Sequence, residues 1–296
     1  MSASWLIVGA TFLFATMGVC VKLASDQYPP GEIVFYRCVV GALMMAAYAR
    51  WQGGTVRTAV PAMHFWRSFS GVIALCLWFY AIGNLPLATA MTLNYMSSVW
   101  MALFLLGGAI ALGTSRVDSR LIATVLVGFA GVALILRPTI EAQQLWHGLM
   151  GLLSGVIAAT AYLQVTALGR VGEPEYRIVF WFSVGGAIAG GSSLFFTGLS
   201  AHSLRGALLL LAVGVLATAA QLMVTRAYGT GRTLVNASLQ YLGIAWSFAY
   251  GVLLFGDKVT PMAIGGMLLI AAAGLSATLL RSRNLRTADL DSTHTA

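Results

Sequence analysis

The segment IVFYRCVVG at residues 33–41 returns as IVFWFSVGG at residues 178–186. Ile33-Val34-Phe35-Tyr36 becomes Ile178-Val179-Phe180-Trp181, and at the same offset Gly41 matches Gly186. Further blocks match in the same order. Asn94-Tyr95 recurs as Gln240-Tyr241, Trp100 as Trp246, and Gly131 as Gly274. Ordered matches in separate blocks argue for a duplicated unit rather than for chance likeness between apolar segments.

A membrane-spanning helix needs about 20 mostly apolar residues. Ten such runs can be drawn, at 5–24, 32–50, 66–84, 88–112, 119–136, 147–167, 177–198, 205–226, 233–255 and 260–280. Turn residues separate them, including Tyr28-Pro29-Pro30-Gly31, Gly53-Gly54, Asn84-Leu85-Pro86, Arg137-Pro138, Gly172-Glu173-Pro174 and Gly229-Thr230-Gly231. Five runs fall in each half. Five is odd, so the second copy must enter the bilayer from the opposite side. The predicted fold is therefore all-α integral membrane, with ten transmembrane helices as two inverted five-helix repeats, 5–136 and 147–280. A polar cytoplasmic tail at 281–296 is expected to be disordered. Inverted repeats recur in secondary transporters, with the substrate near mid-membrane between the copies.

Composition agrees. Of 296 residues, 59% are hydrophobic and 9% charged, against roughly 25% charged in a soluble domain. The net charge of +8 is dispersed between apolar runs, which speaks for membrane orientation and against nucleic-acid binding. With the N-terminus in the cytoplasm, the inner connectors and run ends hold Arg50, Arg57, Arg67, Arg116, Arg120, Arg170, Arg177, Arg226, Arg232, Arg281, Arg283 and Arg286. The outer ones hold Lys22, Arg137, Arg205 and Lys258, leaving Arg37 inside a run. That asymmetry places both termini in the cytoplasm of a multi-pass inner-membrane protein. The run beginning at Trp5 has no basic residue before it, so it reads as a retained helix rather than a signal peptide. Cys20, Cys38 and Cys76 lie inside apolar runs without metal or disulfide spacing.

The chain resembles the EamA-type branch of the drug/metabolite transporter superfamily over about residues 5–280. Phe35-Tyr36-Arg37 resembles the aromatic-aromatic-arginine signature of that family's second helix. Phe79-Tyr80-Ala81-Ile82-Gly83-Asn84-Leu85-Pro86-Leu87-Ala88 resembles its third-to-fourth helix junction, and Phe255-Gly256-Asp257 the ending of its ninth helix. The resemblance implies a cavity lined by the first, third, fourth, sixth, eighth and ninth helices, with the fifth and tenth peripheral. Two departures stand out. Ser98 and Ile244 occupy places where the family often has a helix-bending proline, and Thr114 lies where an acid usually follows the fourth helix.

Candidate substrate-binding residues follow from polarity within the runs. Arg37 is a cation well inside one, and such a residue is a functional candidate by default. It could bind a carboxylate or phosphate bidentately, or instead snorkel outward or pair with Glu32. Asn94 and Ser98 share a helix face, as do Asn236 and Gln240. Gln164 and Gln221 add amides on the sixth and eighth runs. The repeat equivalence of Asn94 and Gln240 is expected to bring them together at the pseudo-symmetry axis. Each amide could serve substrate or merely join helices. Tyr95, Tyr241 and Trp246 lie deep enough to line a pocket for a flat or amphipathic molecule. Gly151-x-x-x-Gly155 and Gly186-x-x-x-Gly190 suit close helix packing.

Every Asp and Glu lies in a connector, at a helix end or in the tail, which weakens proton coupling through a mid-membrane carboxylate. There is no phosphate-cradling loop, and His64, His147, His202 and His294 are scattered. Neither enzyme nor cofactor nor metal is expected. The expected function is secondary transport by alternating access, most often export of an amino acid or related metabolite in this family. Import of a vitamin or a nucleotide-like, riboflavin-like heteroaromatic compound is the alternative, and an integral-membrane enzyme or accessory subunit a remote one. Expected partners are membrane lipids and a small-molecule substrate, with a homodimer left open.

Overall fold

A computed structural model describes residues 3–111, 145–229, 239–257, 260–262 and 264–273, together with Ala123, Val127, Ala130, Gly131, Leu134 and Ser276. Among these there are helices and connectors and no strands. In chain order the helices are α1 (Ala3–Ala24), α2 (Pro30–Trp51), α3 (Pro61–Asn84), α4 (Leu87–Tyr95), α5 (Ser97–Ala111), α6 (Leu145–Arg170), α7 (Glu175–Thr197), α8 (Leu204–Gly229) and α9 (Leu242–Phe255). A further apolar helix, α10, covers Ile264–Ala273. Six helices, α1–α3 and α6–α8, are long and apolar enough to cross a membrane. At 1.5 Å per residue, their 22–26 residues reach about 33–39 Å, more than the roughly 30 Å of hydrocarbon. This is an all-α, multi-pass membrane protein. The fifth run, Asn236 and the tail lie outside the described residues, apart from isolated positions.

Proline sets several boundaries. Pro30 and Pro61 each stand at the first turn of a helix, where the missing N–H would have no partner anyway. α3 therefore begins five residues before the apolar run at 66. Leu85 turns extended (φ −121°, ψ 163°) and Pro86 precedes α4, so the third and fourth runs are two helices.

The fourth run is itself broken. α4 stops at Tyr95 and α5 starts at Ser97. The ninth run breaks at the matching place, where Gln240 and Tyr241 form a turn ahead of α9. Both interruptions occur without the proline that the sequence lacks at Ser98 and Ile244. Close packing accounts for the first. A Cβ on Gly155 of α6 would stand 2.7 Å from the Leu93 carbonyl oxygen and 3.1 Å from that of Asn94. The backbone at the break thus rests on a glycine of the neighbouring helix.

Side-chain contacts give the helix directions. α2 and α7 run antiparallel: Gly31 faces Ser193, Gly186 faces Cys38, and Gly54 faces Tyr176. α1 and α8 are antiparallel, with Gly9 against Met223 and Tyr28 against Gly206. α3 and α6 are antiparallel too, with Ser70 bonded to Gln164 and Tyr80 beside His147. α1 and α3 run together, since Lys22 donates to the Leu85 carbonyl at 2.7 Å. It follows that α1 opposes α6, α2 opposes α7 and α3 opposes α8. The packing also maps onto itself: α1 packs on α8 as α6 packs on α3, and α2 on α8 as α7 on α3.

Polar latches close both ends of this bundle. At one end Glu32, fully buried in the first turn of α2, accepts the Ser200 N–H at 3.2 Å and its hydroxyl at 2.7 Å. His202 stands 3.4 Å from its other oxygen. At the opposite end Glu173, just before α7, accepts Thr58 Oγ1 at 3.0 Å and Arg177 Nη1 at 3.1 Å, and meets His64 Nε2 at 3.1 Å. Each acid thus grips the connector of the other half of the chain. Large exposed aromatics ring the two ends: Trp51 and Trp66 at one, Trp146, Phe195 and Phe196 at the other. Such belts sit at membrane interfaces.

Candidate functional site

α2 enters from one end of the bundle and α3 from the other, and each carries an arginine more than a turn inside. Arg37 and Arg67 are both 4% exposed. Their guanidiniums converge on Phe182 of α7. The Arg37 Cζ lies 5.1 Å and the Arg67 Cζ 4.4 Å from its ring centroid. The two carbons are therefore within 9.5 Å of each other, the sum of those distances. At an effective dielectric near 20, like charges that close repel by about 2 kcal/mol or more. Removing each from water costs several kcal/mol further when no partner is present.

Partners are scarce. Arg37 Nε and Arg67 Nε and Nη1 are buried without a hydrogen bond, and Arg37 Nη1 reaches only the Cys38 sulfur at 3.4 Å. No carboxylate pairs with either guanidinium among the described residues. The expected alternative for Arg37, pairing with Glu32, is not what the structure shows. Glu32 is committed to Ser200 and His202, and Arg37 turns inward rather than snorkelling. Arg67 needs a larger correction. Its place at the start of an apolar run predicts an inner-surface charge. Because α3 begins at Pro61, Arg67 is instead buried, and Gly71 leaves the space its guanidinium fills.

Both arginines line one cavity with Phe14, Trp78, Asn94, Tyr162, Phe182 and Gln221. Among the described residues its polar atoms come from guanidiniums, amides, a phenol and an indole, and no acid contributes. The Trp78 Nε1 is a further buried donor without a partner. About 50 Å³ is open to water-sized occupants, room for a few waters. A metabolite requires the cavity to widen.

The other candidates distribute as follows. Asn94 lines the cavity and donates to Ser154 Oγ at 3.0 Å, so it also joins α4 to α6. Gln221 lines the wall, within 3.5 Å of Thr225 Oγ1. Gln240 is buried and hydrogen-bonds Tyr162, a wall residue. The expected meeting of Asn94 with Gln240 takes a different form. They engage α6 at Ser154 and Tyr162, about 12 Å apart along the axis. Gln164 accepts the Ser70 hydroxyl at 2.8 Å and serves the α3–α6 contact outside the cavity wall. Ser98 and Tyr241 are buried neighbours across the two helix breaks. Tyr95 packs onto Gly243 of α9. Trp246 is 39% exposed and edge-on to Phe12 at 5.4 Å. It is not among the described residues lining this cavity.

Residues 1–137 match the model of the EamA-like transporter family. The pseudopaline exporter CntI of Pseudomonas aeruginosa is 32% identical over 269 residues, covering 90% of this chain and 93% of that protein. A riboflavin transporter of Brucella anthropi is 22% identical, covering 91% and 95%. A solved crystal structure aligns with a TM-score of 0.68 at 19% identity, covering 95% of this chain and 98% of its own. That likeness is one of fold.

Proposed function

Since the chain belongs to the EamA-like transporter family of the drug/metabolite transporter superfamily, we propose that it is an inner-membrane secondary carrier that exports an amino acid or related carboxylated metabolite. Both termini are cytoplasmic in this reading, and residues 5–136 and 147–280 rock against each other to alternate access. The observation that carries it is Arg37, buried in the wall of a cavity between the two halves with no counter-ion among the described residues. An unpaired guanidinium in the membrane is stabilised most by an incoming anion. Antiparallel equivalents and matching helix breaks support the inverted-repeat mechanism, and a relative named as an exporter supports the direction. Asn94, Gln221, Gln240 and Tyr162 complete the contacts.

Uptake of a heteroaromatic compound is the second reading. The aromatic wall of Trp78, Tyr162 and Phe182 favours it, as does similarity to a riboflavin transporter.

The test is a transport assay in proteoliposomes with radiolabelled amino acids, small carboxylates and riboflavin. A carboxylated compound is expected to cross unmodified, and Arg37→Gln to slow it by about tenfold or more, the loss of roughly one charge-assisted hydrogen bond. Selective movement of riboflavin, indifferent to Arg37→Gln, establishes the second reading. Movement of none of these by well-folded protein overturns both.

A further inference from the structure

Arg37 alone would suit one carboxylate. The cavity holds a second, equally buried guanidinium, and Arg67 has two nitrogens without a hydrogen bond. We infer that the substrate carries two carboxylates, one for Arg37 and one for Arg67, received on either side of the Phe182 contact. The inference rests on the carrier reading above and narrows its substrate class.

The charge pattern carries it. The described lining residues supply two cations and no anion, with neutral Asn94, Gln221 and Tyr162 between them. A simple zwitterionic amino acid would bring an ammonium with no carboxylate to receive it and would neutralise one arginine at most. A dianion matches both in a medium where uncompensated charge is costly. Guanidiniums present planar forks suited to carboxylates, and the Phe182 ring limits their freedom, while Arg37 Nε and Arg67 Nε and Nη1 are buried without a hydrogen bond. Their close spacing around one ring calls for a compact molecule. Gly71 supports the assignment, because a side chain there would overlap the Arg67 guanidinium.

The test is thermal melting of the purified full chain in detergent at fixed ionic strength. The probes are malonate, succinate, glutarate and adipate, the monoamide of each, alanine, leucine and inorganic phosphate. At least one diacid is expected to raise the melting temperature, with its monoamide needing about tenfold more for the same shift. Arg67→Gln is expected to bring the diacid to the level of its monoamide. Equal responses to diacid and monoamide in the unaltered protein overturn the inference without recourse to any variant, and so does phosphate matching every diacid. Stabilisation by alanine or leucine with no response to diacids overturns it and leaves the carrier reading standing. Silence from every probe also overturns it, and the transport assay then decides the carrier reading.

Discussion

Phe182 occupies in IVFWFSVGG the place that Arg37 occupies in IVFYRCVVG, and the two side chains meet. Residues equivalent by sequence thus touch where α2 crosses α7, and the equivalence ends in a chemical difference, a cation against a ring. With Arg67 on the same ring, Phe182 holds two guanidiniums at once. Desolvated cation–π contacts contribute about 0.5–2 kcal/mol each. Phe182→Leu keeps the apolar bulk and removes the π face, so it is expected to lower stability by about 1–3 kcal/mol, read as a lower melting temperature in detergent. An unchanged melting temperature would reduce the ring to a filler. At this scale the sequence was legible in part. Arg37, Asn94 and Gln221 stand out as polar groups in apolar runs, and all three line the cavity. Arg67 did not stand out, because hydropathy starts the run at 66 while the helix starts at Pro61. Trp246 does not line this cavity: repeat matching gives depth along a helix and says nothing of which face a residue takes.

Among the elements, the broken fourth and ninth runs matter most for the site, since Asn94, Tyr95, Ser98, Gln240 and Tyr241 all flank a break. Sequence located both runs yet could not show the breaks, which occur without a local proline, the first of them resting on Gly155 of the neighbouring helix. Gly155 is the test. A leucine side chain there must displace the α4 backbone at Leu93 and Asn94. Gly155→Leu is expected to destabilise by about 1–3 kcal/mol and to weaken substrate affinity, whereas the same change at Gly265, with open space around it, should do neither. The connectors offer a second test. Burial raises the Glu173 carboxyl, but hydrogen bonds from His64, Thr58 and Arg177 and the Arg177 charge outweigh it, leaving the group below its ordinary 4.5. A depressed folded value means stability that is complete above the ordinary value and lost as pH falls through the lower one. The melting-temperature gap between the unaltered protein and Glu173→Gln should therefore be flat from about pH 6 to 8 and close below about pH 4. A gap that closes near neutrality would make this latch a physiological proton switch.

For the whole molecule, the duplicated motif foretold that equivalent helices would oppose each other, and α1–α3 against α6–α8 do so. It did not foretell that each half seals the other. Glu32 holds the connector containing Ser200, while Glu173 holds the one containing Thr58, at opposite ends of the bundle. The cavity offers about 50 Å³ to water-sized occupants, so a metabolite needs it to widen. In the proposed mechanism one half rocks against the other, and the two latches part in turn. Short crosslinks distinguish this from a local gate. Cysteine pairs at Glu32 with Ser200, and separately at Thr58 with Glu173, are introduced after Cys20, Cys38 and Cys76 are replaced by alanine. Each crosslink alone is expected to stop net transport and to leave the cavity reachable by a small thiol reagent from the unlinked side only, through a reporter cysteine at Ala158. Reduction should restore turnover in both. Sustained transport with either end tied would mean that substrate passes without the halves separating there, and the rocking mechanism would have to be abandoned.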